Sequence, residues 1–121
     1  MMRLEKIDPA LGLMKEFSRV ACGTAAAIQK MRQDAIFTDR EVPARFKALA
    51  AVLWSVSARC EPCLKFYVQQ AARLGATEEE LGEFLAVASA MGGCVGEMWA
   101  LKAYAAYKGG QAEESSCCAA H

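Results

Sequence analysis

Apolar residues recur at three- and four-residue intervals through most of this chain, on a background rich in alanine and poor in β-branched residues. That spacing paints one face of a 3.6-residue helix and does not suit a pleated strand, so an all-α fold of about six helices is expected. Asp8-Pro9 forms an N-cap and first-turn pair that opens a helix to about Val20. Gly23-Thr24 opens a second, carrying Ile28 and Met31. A third runs from about Pro43 to Ala58, with Phe46, Leu49, Leu53 and Val56 on one stripe. The fourth starts at Cys60-Glu61-Pro62-Cys63 and ends at Gly75, a left-handed cap. Thr77-Glu78-Glu79-Glu80 then reads as a capping box that starts the fifth, with Leu81, Phe84, Leu85 and Ala88 on its buried face. This succession of helix, glycine, capping box and helix specifies an antiparallel hairpin. Gly92-Gly93 breaks the chain again, and a last helix carries Met98, Trp99, Leu101 and Tyr104 to about Lys108.

The 121 residues fit one domain, expected over 1–110, followed by a polar, small-residue tail over 111–121 that is expected to be mobile. Lys plus Arg and Asp plus Glu balance at 14 each, which leaves no basic stripe for phosphates, so nucleic acid is not an expected partner. The apolar share of 55% exceeds the typical value of about 45–50%, and part of that surface is expected to lie between subunits of a homo-oligomer. Uncharged runs such as 84–96 are shorter than the roughly 18 residues of a membrane span, so no membrane is expected. The start, Met1-Met2-Arg3-Leu4-Glu5-Lys6, is charged where an export signal is apolar. Six cysteines without such a signal suggest reduced thiols in a cytoplasmic protein.

Cys60-Glu61-Pro62-Cys63 carries the chemistry. Two thiols separated by two residues at a helix start can exchange electrons as a pair. The unpaired N–H groups and the positive end of the helix dipole favour a thiolate there and draw its pKa below the free value of about 8.5. Arg59 pushes the same way, and Pro62 suits a first turn that has no use for its missing N–H. Such a pair needs no bound cofactor.

From Val42 to Trp99 the chain resembles the carboxymuconolactone decarboxylase family, and within it the alkylhydroperoxidase D-like branch. The resemblance is carried by Val42-Pro43, Lys47, Arg59-Cys60-Glu61-Pro62-Cys63, Ala71-Ala72, the run from Leu74 to Leu81, and Met91-Gly92-Gly93, in the family's order and spacing. It implies an alkylhydroperoxidase D-like helical bundle assembled as dimers, trimers or hexamers. It also implies reduction of a hydroperoxide by the cysteine pair, with electrons returned by a reducing thiol protein or a lipoyl group. By position, Cys63 attacks the peroxide and Cys60 resolves.

Two departures bear on that activity. Family peroxidases place a His four residues after the second Cys, where this chain has Tyr67, and a Glu just after the Lys, where it has Ala48. Those groups relay a proton from the attacking thiol in the family. A phenol with a pKa near 10 is no base at neutral pH, and a lost general base costs about a hundredfold to ten-thousandfold in rate. Slow peroxide reduction is expected. Exchange with an external disulfide depends more on thiolate and access, and survives better. Tyr67 retains a hydrogen bond to offer Cys63, and Glu97 is a candidate to replace the missing carboxylate.

Cys94 and Cys22 are expected to be small buried hydrophobes. In the tail, Cys117, Cys118 and His121 form a soft donor set, and the rival reading is a protein that binds a soft metal or metalloid ion through the Cys60-Cys63 pair and this tail. A third reading is a helical assembly module whose redox site has decayed. Four-ligand structural zinc is disfavoured, since His121 is the only histidine.

Overall fold

Helix signals in the sequence translate almost one for one into elements in the computed structural model, which describes the backbone over 4–119 and side chains over 4–110. Among the described residues every regular element is helical. The order is α1 (Leu4–Ile7), a 3-10 segment (Pro9–Leu13), α2 (Met14–Val20), α3 (Thr24–Ala35), α4 (Ala44–Ala58), α5 (Glu61–Arg73) and α6 (Glu78–Ala119).

The N-terminal region departs most from expectation. Asp8 does cap, accepting from the Ala10 N–H at 2.9 Å, but the segment it opens is 3-10 and an α-helix resumes only at Met14. Gly12 in that short stretch is a poor α former, which favours the tighter turn, whereas Pro9 at the first position suits a helix start. Cys22 and Gly23 then adopt positive φ, 57° and 83°, turning the chain into α3. The resulting α2–α3 pair stands apart: α3 packs against α2 and against none of α4, α5 and α6.

The core belongs to α4, α5 and α6. Leu49, Val52, Leu64 and Val68 are at most 1% exposed and form its centre, with Leu81, Leu85, Ala100 and Ala103 closing it from α6. Ser55, fully buried among them, donates its hydroxyl to the Ala51 carbonyl at 2.8 Å, so no polar group there is left unmatched.

The joins are specified locally. Asp39 accepts from the Ala44 N–H at 2.7 Å and caps α4 from five residues upstream. Gly75, at φ 98°, ends α5, with the Ala76 N–H reaching the Ala71 carbonyl at 2.9 Å. The capping box forms as read: Thr77 N–H donates to Glu80 and Glu80 N–H to Thr77, both at 3.0 Å.

α6 is two helical arms joined at Gly93, whose φ 60°, ψ −143° is not helical and reverses the chain. The proof of reversal is at the far ends, where Glu78 pairs with Lys108 at 2.6 Å and accepts from the Tyr104 hydroxyl at 3.3 Å. The expected fifth and sixth helices are therefore the two arms of this hairpin. Glu78–Gly110 is long and apolar enough to cross a membrane by length and composition alone. Within that stretch the chain folds back at Gly93, and the pieces on either side, 78–92 and 94–110, are each shorter than the roughly 20 residues a span requires.

The Glu78–Lys108 pair makes a pH prediction. Lys108 lowers the Glu78 pKa from 4.5, mainly through the hydrogen bond, and Glu78 raises the Lys108 pKa from 10.5. A depressed carboxylate stabilises above its unfolded pKa and loses that contribution as pH falls through the folded value. A raised lysine loses its contribution as pH rises through its folded value. The Tm deficit of Glu78→Gln should therefore be present between about pH 5 and 10 and shrink in acid. Thermal unfolding across pH checks it.

The second arm buries its smallest residues and exposes several large ones, while Trp99 and Tyr107 pack against the core. Gly96, Ala100 and Ala103 face inward while Met98, Leu101 and Tyr104 lie at the surface, as do Val87, Met91 and Trp54, the last two 85% and 69% exposed. Trp54 and Met98, whose spacing suits either core or interface packing, lie at the surface of this chain.

Candidate redox site

The cysteine pair sits where two helix-end devices meet. The end of α4 is turned by Arg59 at φ 55°, with the Cys60 N–H reaching back to the Ser55 carbonyl at 3.0 Å. This closure is usually made by glycine. Cys60 is then the N-cap of α5 in an extended conformation, Glu61 and Pro62 fill the first two helical positions, and Cys63 is the third. The sulfurs of Cys60 and Cys63 are bonded as a disulfide, with Cα atoms 5.2 Å apart. Both residues are half-buried, above the fully buried Leu64.

No side chain caps α5, so the amides of its first turn have no side-chain acceptor. On reduction, the Cys60 sulfur occupies the place from which a Ser or Asp cap accepts those N–H groups, and Cys63 lies within the same turn. Helix-end geometry favours ionisation of either sulfur. The order of attack comes from the resemblance alone.

One turn further along α5, Tyr67 is half-buried in a cluster of three rings. It stacks on Phe37 at 6.1 Å and meets Phe66 edge to face at 5.1 Å, while Phe37 and Phe66 stand 6.3 Å apart. Phe66 and Tyr67 are three and four residues beyond Cys63 on α5, a spacing that puts them on the same side of the helix one turn along. Helical spacing could have singled out Phe66. Phe37 lies in the α3–α4 link and gave no local signal.

Residues 23–106 match the carboxymuconolactone decarboxylase family model. The chain belongs to this family. It is similar to an uncharacterized protein of Cupriavidus necator, H16_B0147, at 36% identity over 103 residues, covering 85% of this chain and 88% of that one. Among solved structures it is similar to apo-lpg0406, a carboxymuconolactone decarboxylase family protein from Legionella pneumophila. The TM-score is 0.78 at 27% identity, over 87% of this chain and 94% of that one.

Within this carboxymuconolactone decarboxylase family member, the positions of the absent relay are now explicit. Ala48 is fully buried in the core cluster, a methyl group at the position where the resemblance puts a carboxylate. Lys47 donates to the Thr38 carbonyl at 2.6 Å and is committed to the α3–α4 link. Glu97 is exposed on the second arm of α6, with no hydrogen bond or ion pair to bring it to the sulfurs. Arg59 is exposed and likewise unpaired among the described residues. Cys22 and Cys94 are free and exposed, against the expectation of buried thiols, because one sits at the α2–α3 corner and the other beside the Gly93 reversal. Among the described residues no group of three His, Cys, Asp or Glu is placed to hold a metal. Cys117, Cys118 and His121 lie outside the residues whose side chains are described, while the backbone of α6 continues past the expected end near Lys108, through most of the expected tail, to Ala119.

Arg59 supplies a two-sided prediction. A left-handed non-glycine residue costs about 1–2 kcal/mol, partly offset by the added freedom of glycine in the unfolded chain. Arg59→Gly should raise stability by up to about 1 kcal/mol while slowing thiol alkylation at Cys60 and Cys63. Urea unfolding and peptide-mapped alkylation read the two effects separately.

Proposed function

We propose that this protein is a thiol-disulfide oxidoreductase of the alkylhydroperoxidase D-like branch, working through Cys63 and Cys60 in the cytoplasm as a homo-oligomer. The observation that carries the reading is the bonded pair at the uncapped start of α5, half-buried and one turn from a phenol. In exchange, the Cys63 thiolate attacks an external disulfide, forms a mixed disulfide and expels one thiolate. Cys60 then attacks the Cys63 sulfur, releases the second thiolate and closes the internal disulfide. With a hydroperoxide, Cys63 takes the terminal oxygen, leaving an alcohol and a sulfenic acid, and Cys60 displaces water. A reducing thiol protein or dihydrolipoyl group restores the dithiol. The exposed apolar face around Met91, Met98 and Leu101 supports the oligomer reading.

Disulfide exchange should be the faster reaction, since it does not need the relay that Ala48 and Tyr67 lack. Fully reduced protein, mixed separately with an organic hydroperoxide and a small disulfide, tests this by rate of thiol loss. Tyr67→His should raise the peroxide rate about tenfold or more and the exchange rate much less, by restoring a base one turn from Cys63. If neither Cys60 nor Cys63 alkylates faster than a free cysteine near neutral pH, the redox reading fails.

A further inference from the structure

Phe37 is the one member of the aromatic cluster that α5 does not carry, and the chain holds it with unusual care. Its own N–H reaches the Gln33 carbonyl at 3.2 Å, and the next residue, Thr38, donates its hydroxyl to the same carbonyl at 2.8 Å. The Thr38 carbonyl is held by the Lys47 ammonium at 2.6 Å, and Asp39 caps α4 through the Ala44 N–H at 2.7 Å. Anchors therefore flank Phe37 on both sides. They tie an otherwise irregular link to the start of α4, and place its ring against Tyr67 nearly parallel, 17° between planes, with Phe66 on its edge.

This arrangement exceeds what packing requires. The core of α4, α5 and α6 closes without Phe37, which is only half-buried and packs at its margin. What the ring does is remove rotational freedom from Tyr67. Tyr67 is half-buried and packs against the core cluster, and the two rings in contact with it narrow its rotamers further. The Tyr67 hydroxyl makes no hydrogen bond to another described residue, and no buried side-chain oxygen lacks a partner, so the group is free to donate.

We propose that Phe37 is a positioning residue for the redox pair, acting through Tyr67 by holding its ring where the hydroxyl can donate to the Cys63 sulfur once the disulfide is reduced. The proposal rests on the redox reading above. It gives the α3–α4 link a function in the site and makes Lys47 and Asp39 its supports.

The test uses the full-length reduced protein and compares the alkylation rate of Cys63 with that of Cys94, an exposed free thiol in the same molecule that corrects for global loosening. Tyr67→Phe removes the donor and should slow Cys63 relative to Cys94 about three- to tenfold, the worth of one net hydrogen bond. Phe37→Ala should slow it by a similar factor, and the double variant should be no slower than Tyr67→Phe alone, because both act through one bond. Phe37→Tyr, which keeps the ring, should restore the parent ratio, and Phe37→Leu, which keeps apolar bulk without the ring, should not. Phe37→Leu also serves where Phe37→Ala does not fold. A Phe37 variant with lowered Tm and an unchanged Cys63 to Cys94 ratio overturns the inference while leaving the redox reading intact. A parent protein whose Cys63 reacts no faster than Cys94 overturns both.

Discussion

Cys63→Ser should reduce both disulfide exchange and peroxide reduction to the uncatalysed background. Serine keeps the shape, but its hydroxyl is not ionised at any workable pH, and no neighbour supplies the base that would activate it. Tyr67 is a phenol, Ala48 is a buried methyl and Glu97 stands at the surface without contact to the pair. Cys60→Ser should behave differently. Its Cys63 should still attack an external disulfide and then stop, trapped as a mixed disulfide that mass spectrometry detects at one adduct on the peptide containing residue 63. Both variants lose a crosslink that spans only three positions, worth at most about 2 kcal/mol. A comparison under reducing conditions removes even that difference. If Cys63→Ser retains activity and Cys60→Ser loses it, the roles of the two sulfurs are reversed, which the helix-end geometry permits.

The second large effect concerns the hairpin that closes the core. Gly96→Ala should destabilise the fold by about 1–3 kcal/mol, lowering Tm by roughly 5–15 °C. A Cβ at that position would lie 2.4 Å from the Ala88 carbonyl oxygen and 3.3 Å from its carbon, both backbone atoms that cannot rotate away. The arms would have to part, loosening Leu81 and Leu85 on one side and Ala100 and Ala103 on the other. Gly93→Ala should cost a comparable amount for another reason, since φ 60° with ψ −143° is nearly closed to residues with a side chain. Gly82→Ala is the control: it lies in the first arm, exposed, with nothing within 4 Å of the added carbon. There alanine should add about 0.5–1 kcal/mol of helix propensity. Equal losses at all three glycines would show that the close approach at Gly96 has no special weight.

Much of the architecture was legible because its signals are local. The capping box at Thr77 and Glu80, the left-handed Gly75 and the Gly92-Gly93 break depend on residues within a few positions of one another, and each forms as read. The Pro9–Leu13 segment differs from the expected α-helix, since a glycine shifts a marginal helix to 3-10 without altering the apolar spacing. The stripe of Met98, Leu101 and Tyr104 had the right period but faces outward, for periodicity identifies an apolar face without saying what covers it.

The sequence by itself determined the helices, their caps and the pair of thiols at the mouth of α5, because spacing along a helix and chemistry at its ends are properties of neighbouring residues. Only tertiary structure decided which small residues meet at the hairpin, that Ala48 is sealed in the core, and that Phe37 reaches Tyr67 across thirty positions of chain. Those are contacts between elements, and their partners are chosen by how helices pack rather than by anything written beside them in the sequence.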